Sequence, residues 1–511
     1  MREGSEGRAE ALMAGISRRH LLGGMAAGLA AGYGLPAAAN APARSLVPPA
    51  RGGGPAVRAL GPAAVPAEDL IEAAKLGGEV GYVVADARTG LVLEARQGNR
   101  PMPPASTLKV ITSLYALEHL GAGYRFPTRL IATGPVAGGK VQGDLILAGG
   151  GDPTLSTDDL GDMAAALKSR GITGVTGRFR VWGGALPHLE AIDESQPEWL
   201  GYNPAVSGLN LNFNRVNFVW KRAGKGYEVG MDARAERFAP PVYSARVSLA
   251  ERDLPVFSYR RGKVEEWTVA TKALGKGGSR WLPVRRPELY AGDVFQTLAR
   301  AQGIPLPAPE VAAAVPAGAV LVERASAELP VILRDMMKFS TNMTAEAVGM
   351  AASARRGVAS HVGSAREMAA WLGKRTGAKA RFADHSGLAG ASRISPEEMV
   401  RALVALGPRS GIRALMKEFA FRDEAGRKLK QSPVTVEAKT GTLNFVSTLV
   451  GYVRAPEGTD LAFAIFTGDV ARRDSIPDSQ KENAPGVGAW VKRSKRLQQQ
   501  LLERWAAVYG A

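Results

Sequence analysis

Apolar residues recur every third or fourth position at Leu108, Ile111, Leu114 or Tyr115, and Leu117, the spacing of one helix face. Pro103 and Pro104 cannot continue that helix backwards and Gly121 stops it, so a helix is predicted to begin near Ser106. Upstream, residues 68–76 suit a short helix. Residues 80–84 and 91–94 are apolar runs around the turn Asp86-Ala87-Arg88-Thr89-Gly90, a hairpin leading into the Ser106 helix. Near the other end, residues 434–443, 448–453 and 461–466 read as three strands of one antiparallel meander, the last two separated by Pro456-Glu457-Gly458. In the final helix, 488–509, Lys492, Arg493, Lys495 and Arg496 lie opposite Trp490, Val491, Leu497, Leu501 and Trp505. That pattern suits a helix packed on the meander better than one lying on a membrane.

Between these ends the texture changes. Residues 134–152 are glycine-rich with a strand fragment at Leu145-Ile146-Leu147, residues 160–167 are helical and 175–182 strand-like. This βαβ rhythm predicts a small α/β unit ending near Asn203-Pro204. Residues 209–220 alternate polar and apolar like a half-exposed strand, and short strands continue to about 285, predicting a mainly β insert. Helical text resumes at 293–301, 329–338 and 345–352, and again after Ser395-Pro396-Glu397-Glu398.

The first 65 residues have a different character. Ser17-Arg18-Arg19-His20-Leu21-Leu22 opens a mildly apolar stretch to Leu35 that ends in small residues, which reads as a twin-arginine export signal over 1–41 and predicts a periplasmic or extracytoplasmic protein. The Pro-, Ala- and Gly-rich stretch 42–66 reads as a tether. The chain has 511 residues and a net charge of +17, which draws it to polyanions. Because the basic residues are scattered, nucleic acid does not fit; peripheral contact with anionic membrane or wall polymer does.

Cysteine is absent, which excludes disulfides, thiolate metal sites and cysteine nucleophiles. With five histidines, no His-x-x-x-His pair and no Gly-x-Ser-x-Gly elbow, neither a zinc hydrolase nor a histidine-based serine hydrolase is expected, and no metal or other cofactor is called for. The candidate chemistry lies instead in Ser106 and Lys109. Spacing i, i+3 stacks the hydroxyl and the amine on one helix face, one turn apart. A lysine whose pKa is lowered by desolvation and nearby positive charge can take a serine proton, and a helix N-terminus offers backbone N–H groups to an oxyanion. Two further short motifs are Ser340-Thr341-Asn342, which by itself would also suit a helix N-cap, and Lys439-Thr440-Gly441, which would also suit an exposed strand end.

Together and in this order, Ser-x-x-Lys, Ser-x-Asn and Lys-Thr-Gly resemble the active-site set of penicillin-binding proteins and serine β-lactamases. Ser340 follows Ser106 by 234 residues and Lys439 follows Ser340 by 99, and the long first interval resembles the class C penicillin-binding proteins, the D-alanyl-D-alanine carboxypeptidase/endopeptidase family. Gly150-Gly151-Asp152-Pro153-Thr154-Leu155, the 207–217 run, Ala345-Glu346, residues 384–388 and residues 438–443 look like that family too. The resemblance implies an α/β (α+β) fold. Its transpeptidase-like domain, an antiparallel sheet flanked by helices, would occupy 67–130 and 288–511, interrupted by a small α/β domain at 131–208 and a mainly β domain at 209–287.

It also implies a serine-type carboxypeptidase/endopeptidase of peptidoglycan stem peptides and cross-links, acylated on Ser106 and inhibited by β-lactam antibiotics. Lys109 would take the serine proton, Ser340 would pass a proton towards the leaving amine, and Asn342 would hold Lys109 and the substrate amide. Lys439 would face the substrate carboxylate with the hydroxyls of Thr440 and Thr442 beside Gly441, while the backbone of Ser106 and Thr442 would form the oxyanion hole. Thr341 stands where the family commonly has Asp, and Ala389-Gly390-Ala391 lengthens the loop after Ser386-Gly387-Leu388. A β-lactamase or esterase on the same fold, and a non-catalytic wall-binding protein, are the alternative readings.

Overall fold

Alternation along the last three strands decides how the two ends of the chain come together. In the computed structural model, which describes residues 65–423, 425–429, 434–454 and 458–509, Thr435–Leu443, Val446–Arg454 and Asp460–Gly468 form the expected meander. Asp460–Gly468 then pairs with Glu79–Asp86 from the start of the chain, which pairs with Val92–Arg96. With Lys417–Glu418 on the far edge, these strands make one six-stranded antiparallel sheet. The sequence expected to be an export signal, and the tether up to residue 64, lie outside the described residues.

Because side chains of a strand alternate between faces, Val450, Tyr452, Ala462, Ala464 and Phe466 point to one side and Leu449, Val453, Leu461, Phe463 and Ile465 to the other. The first face buries the Ser106 helix (Leu108–Leu120) and the helices Leu329–Phe339, Asn342–Ala354, His361–Thr376 and Pro396–Ser410. The second buries the final helix, Val487–Tyr509, through Trp490, Leu497, Leu501 and Trp505, with Trp505 against Tyr82 at 5.5 Å between ring centres. A fully buried Trp contributes about 3–5 kcal/mol by the cost of its removal; this face therefore anchors the terminal helix. Among the described residues no helix is long and apolar enough to cross a membrane.

The interruption is longer than the sequence suggests. Pro127–Ala132 and Ala319–Ala325 pair with one another, and Leu145–Gly149, Phe179–Trp182 and Pro309–Val311 extend them into a five-stranded mixed sheet. The helices Thr157–Ser169 and Pro287–Ala301 pack on it. Residues 288–325, expected to belong to the main part, thus stay with the inserted sheet. The chain returns at Ser326, where Ser326 N–H donates to the Phe126 carbonyl and Phe126 N–H to Ser326 Oγ, both at 2.9 Å. Two three-stranded sheets between Arg215 and Pro283 supply the β-rich section.

The half-exposed strand over 209–220 begins only at Arg215, since Asn212, Phe213 and Asn214 are all left-handed. Asparagine tolerates that conformation and its amide replaces ladder hydrogen bonds: Asn210 Oδ1 accepts from Ser207 N–H and Asn214 Oδ1 from Leu211 N–H, each at 3.0 Å. The helix His361–Thr376 is an addition to the elements that the sequence pattern predicts: Ala365, Met368 and Leu372 have helical spacing, Ser360 caps its start and Gly377 ends it at φ +74°.

Candidate active site

Ser106 sits in a tight turn, Ala105–Thr107, that runs straight into the helix Leu108–Leu120. Ala105 is held at φ +46°, costly for any residue with a Cβ and sustained only by what surrounds it. The Pro104 carbonyl accepts from Thr107 Oγ1 at 2.6 Å and from Thr448 Oγ1 of the central sheet at 2.8 Å, which pins the turn to the sheet. Two glycines permit the close approach. A Cβ on Gly387 would lie 1.8 Å from the Ala105 carbonyl oxygen, and one on Gly441 would lie 2.9 Å from Ser106 N and 2.2 Å from Thr448 Oγ1.

One turn on, Lys109 is fully buried. Its Nζ lies 3.0 Å from Ser106 Oγ and donates to Asn342 Oδ1 and to the Ser386 carbonyl, both at 2.7 Å. Two carbonyl acceptors occupy two of the amine's hydrogens, so its third position, hydrogen or lone pair, faces the serine. Burial pulls Lys109 down to about 7, against the opposing pull of Asp384 and Glu346. Near neutral pH the amine can therefore accept the Ser106 proton across that 3.0 Å contact.

Ser340 ends the helix Leu329–Phe339 in the left-handed conformation at φ +59°, and Asn342 begins the next helix. Neither acts as the N-cap that the motif alone would also suit; that position is Thr341, with no side-chain cap bond. Lys439 Nζ donates to Ser340 Oγ at 3.0 Å and to the Thr440 carbonyl at 2.7 Å. Burial, then the neighbouring Lys109 and Lys417, hold Lys439 well below the usual lysine range. Both of its acceptors there are neutral oxygens, so an incoming anion would favour its charged form. Thr440 and Thr442 are exposed on the same strand, on either side of buried Gly441. Ser106, Lys109 and Asn342 thus form one hydrogen-bonded set, Ser340 and Lys439 form a second, and Gly441 joins the strand of the second to the turn of the first.

Several groups at the site were not picked out as site residues. The Ser386 carbonyl is a backbone atom that no residue type announces. Tyr202, from the inserted section, reaches the site through its carbonyl, which accepts from Asn342 Nδ2 at 3.0 Å. Behind Lys109 stand Asp384, Glu346 and His385, all buried, with His361 beside them. Glu346, His361 and His385 are the one set among the described residues whose side-chain atoms are close enough to share a metal ion. They are spaced as hydrogen-bond partners: Glu346 Oε2 lies 2.9 Å from His361 Nε2 and 2.8 Å from His385 Nδ1. Two ligands of a tetrahedral zinc with bonds of about 2.1 Å would stand about 3.4 Å apart.

A comparison with protein families matches residues 66–484 to the D-Ala-D-Ala carboxypeptidase 3 (S13) family. The chain belongs to this family. Its relatives include a D-alanyl-D-alanine carboxypeptidase of Actinomadura sp. (strain R39), 31% identical over 78% of this chain and 79% of its own length. Another is the D-alanyl-D-alanine carboxypeptidase DacB of Haemophilus influenzae, 26% identical over 82% of this chain and 91% of its own. Among solved structures, penicillin binding protein 4 (dacB) of Haemophilus influenzae superposes with a TM-score of 0.67 at 20% identity, covering 85% of this chain and 99% of that one. That likeness shows the fold, an α/β architecture with an antiparallel sheet and flanking helices. Membership also makes this chain a serine peptidase, in agreement with the resemblance read from its motifs.

Proposed function

We propose that this S13 peptidase acts on the D-Ala-D-Ala end of peptidoglycan stem peptides and on the D-alanyl cross-links between them, through an acyl-enzyme on Ser106. The observation that carries this reading is the Lys109 amine, 3.0 Å from Ser106 Oγ with two of its hydrogens committed to Asn342 and Ser386. In the forward step Oγ attacks the D-alanyl carbonyl as its proton passes to Lys109 Nζ. The backbone N–H groups of Ser106 and Thr442 hold the oxyanion. As the C–N bond breaks, the proton moves by way of Ser340 to the leaving amine, and water then releases the acyl group by the reverse sequence.

The substrate's terminal carboxylate lies against Lys439, Thr440 and Thr442. Its charge raises the proton affinity of Lys439, and protonated Lys439 in turn disfavours a proton on Lys109. The names of the relatives give the substrate class, and a structure of the Haemophilus protein complexed with a β-lactam supports β-lactams as acylating analogues. The Arg18-Arg19 segment supports export by the twin-arginine route, and the charge of +17 supports peripheral contact with anionic wall polymer outside the cytoplasm.

Incubation of the purified protein with isolated muropeptides, followed by mass spectrometry, tests the substrate. Pentapeptide stems are expected to lose their terminal D-alanine and cross-linked dimers to become monomers. Unchanged stems and unchanged dimers would overturn the reading.

A further inference from the structure

The reaction above uses Lys109 but leaves out the buried carboxylate behind it. Glu346 lies one turn after Asn342 on the helix Asn342–Ala354 and is fully buried. Its Oε1 accepts from the backbone N–H of Ser386 at 2.9 Å and of His385 at 3.2 Å. Ser386 thus has its N–H on Glu346 and its carbonyl on Lys109.

The other oxygen of Glu346, Oε2, lies between two imidazoles, His385 Nδ1 and His361 Nε2. His385 is sealed: its Nε2 is 2.8 Å from Ser364 Oγ, and its ring fills the space a Cβ on Gly349 would take, 2.2 Å from Cδ2. His361, whose side chain is 12% exposed, is the member that meets solvent. This arrangement is more than a satisfied buried polar cluster, because it ends on the general base.

We propose that Glu346 is a positioning residue for the acylation step: it aims the Ser386 carbonyl at Lys109 and, with His361 as its counter-charge, sets the pH at which Lys109 becomes a base. The inference rests on the reading that Ser106 is the residue acylated. Lys109 faces Asp384 and Glu346 from behind and Lys439 across the site. His361 faces Glu346, Asp384 and the ring of His385, 5.7 Å away between centres. Burial opposes the charge on Glu346, but hydrogen bonds and charge from His361 and His385 hold its carboxyl well below the usual range. Asp384 is pushed the other way, upward, by burial and by Glu346. Its oxygens are occupied by Ser386 Oγ, Ala389 N–H and Ser392 Oγ.

The sign follows. A negative Glu346 favours the protonated form of Lys109, whereas a positive His361 disfavours it. Acylation requires neutral Lys109, so the rate rises with pH through the Lys109 titration. Glu346→Gln keeps the shape and one carbonyl oxygen for the backbone donors while removing the charge. The measurement is the second-order rate of acylation by a fluorescent penicillin from pH 5 to 9, with thermal unfolding as the check on folding. In Glu346→Gln the midpoint of the acid limb is expected to fall by about one pH unit, so that two units below the wild-type midpoint the variant runs about tenfold faster relative to its own plateau. An unmoved midpoint, with the rate lowered equally at every pH, is the signature of a merely structural role and overturns the proposal.

If Glu346→Gln does not fold, His361→Gln at the solvent edge carries the test. There the midpoint is expected to rise, because Glu346 loses the counter-charge that offsets its pull on Lys109, and an unmoved or lowered midpoint overturns the proposal. A wild-type protein that takes no label at any pH would instead defeat the assignment of Ser106 as nucleophile, a separate failure.

Discussion

Replacing Lys109 by methionine is expected to slow acylation by a fluorescent penicillin about 10³–10⁴-fold, the upper part of the range for removal of a positioned general base. Methionine fills the same buried channel without an amine, so the Ser106 hydroxyl loses the neighbour 3.0 Å away to which the proposed reaction passes its proton. Asn342 Oδ1 and the Ser386 carbonyl each lose a donor at 2.7 Å, at about 1–3 kcal/mol apiece if no water replaces it. Against that loss, the variant no longer desolvates a basic group. Stability should therefore fall far less than activity. The pH profile gives a second readout, because wild-type acylation rises through the Lys109 titration near pH 7 while the residual rate in the variant has no limb there. A variant acylated within tenfold of wild type, with the limb intact, would show that the proton goes elsewhere.

Gly387→Ala is expected to cost about 2–5 kcal/mol of stability and at least about a hundredfold in acylation rate. Two independent penalties meet at this residue. Its φ of +76° disfavours any Cβ, and the added Cβ would stand 1.8 Å from the Ala105 carbonyl oxygen. That oxygen belongs to the strained turn carrying Ser106, so relief must move either Ser106 or the Ser386 carbonyl that holds Lys109. Gly224→Ala is the matching control: φ is +56°, but nothing lies within 4 Å of the added Cβ. It should cost about 1 kcal/mol and leave acylation unchanged. Denaturant midpoints and acylation rates on the two variants decide the matter, and equal effects in both would remove the steric argument.

What could be read from the chain depended on how locally it was encoded. Ser106 and Lys109 are three residues apart on one helix, and spacing alone stacks them. Asn342 and Lys439 were legible as motifs, although only the folded chain brings Asn342 to 2.7 Å from Lys109 and Lys439 to 3.0 Å from Ser340. The Ser386 carbonyl left no such trace, because every residue has one and only the path of the loop aims this one. Glu346 read as helix text after the Ser-x-Asn motif, and its contact with His361 needs a second helix that was not foreseen.

The fold follows the same rule. The meander and the terminal helix were readable because alternation and helical spacing extend over many residues. The pattern alone ends the insertion before these strands, because Pro309–Val311 is short and Ala319–Ala325 is mostly exposed. Neither carries enough buried apolar sequence to stand out from its loop. Their membership in the inserted sheet is set by pairing with Phe179–Trp182 and Pro127–Ala132, a non-local fact.

The claim on which everything else depends is that a β-lactam or a D-alanyl carbonyl is attacked by Ser106 Oγ. Its most direct test is to react the full chain with benzylpenicillin, digest it and locate the adduct by mass spectrometry, in parallel with Ser106→Ala. A single adduct on Ser106, and none in the variant, is the predicted result. An adduct on any other residue, or a variant that still takes up penicillin covalently, would contradict the account.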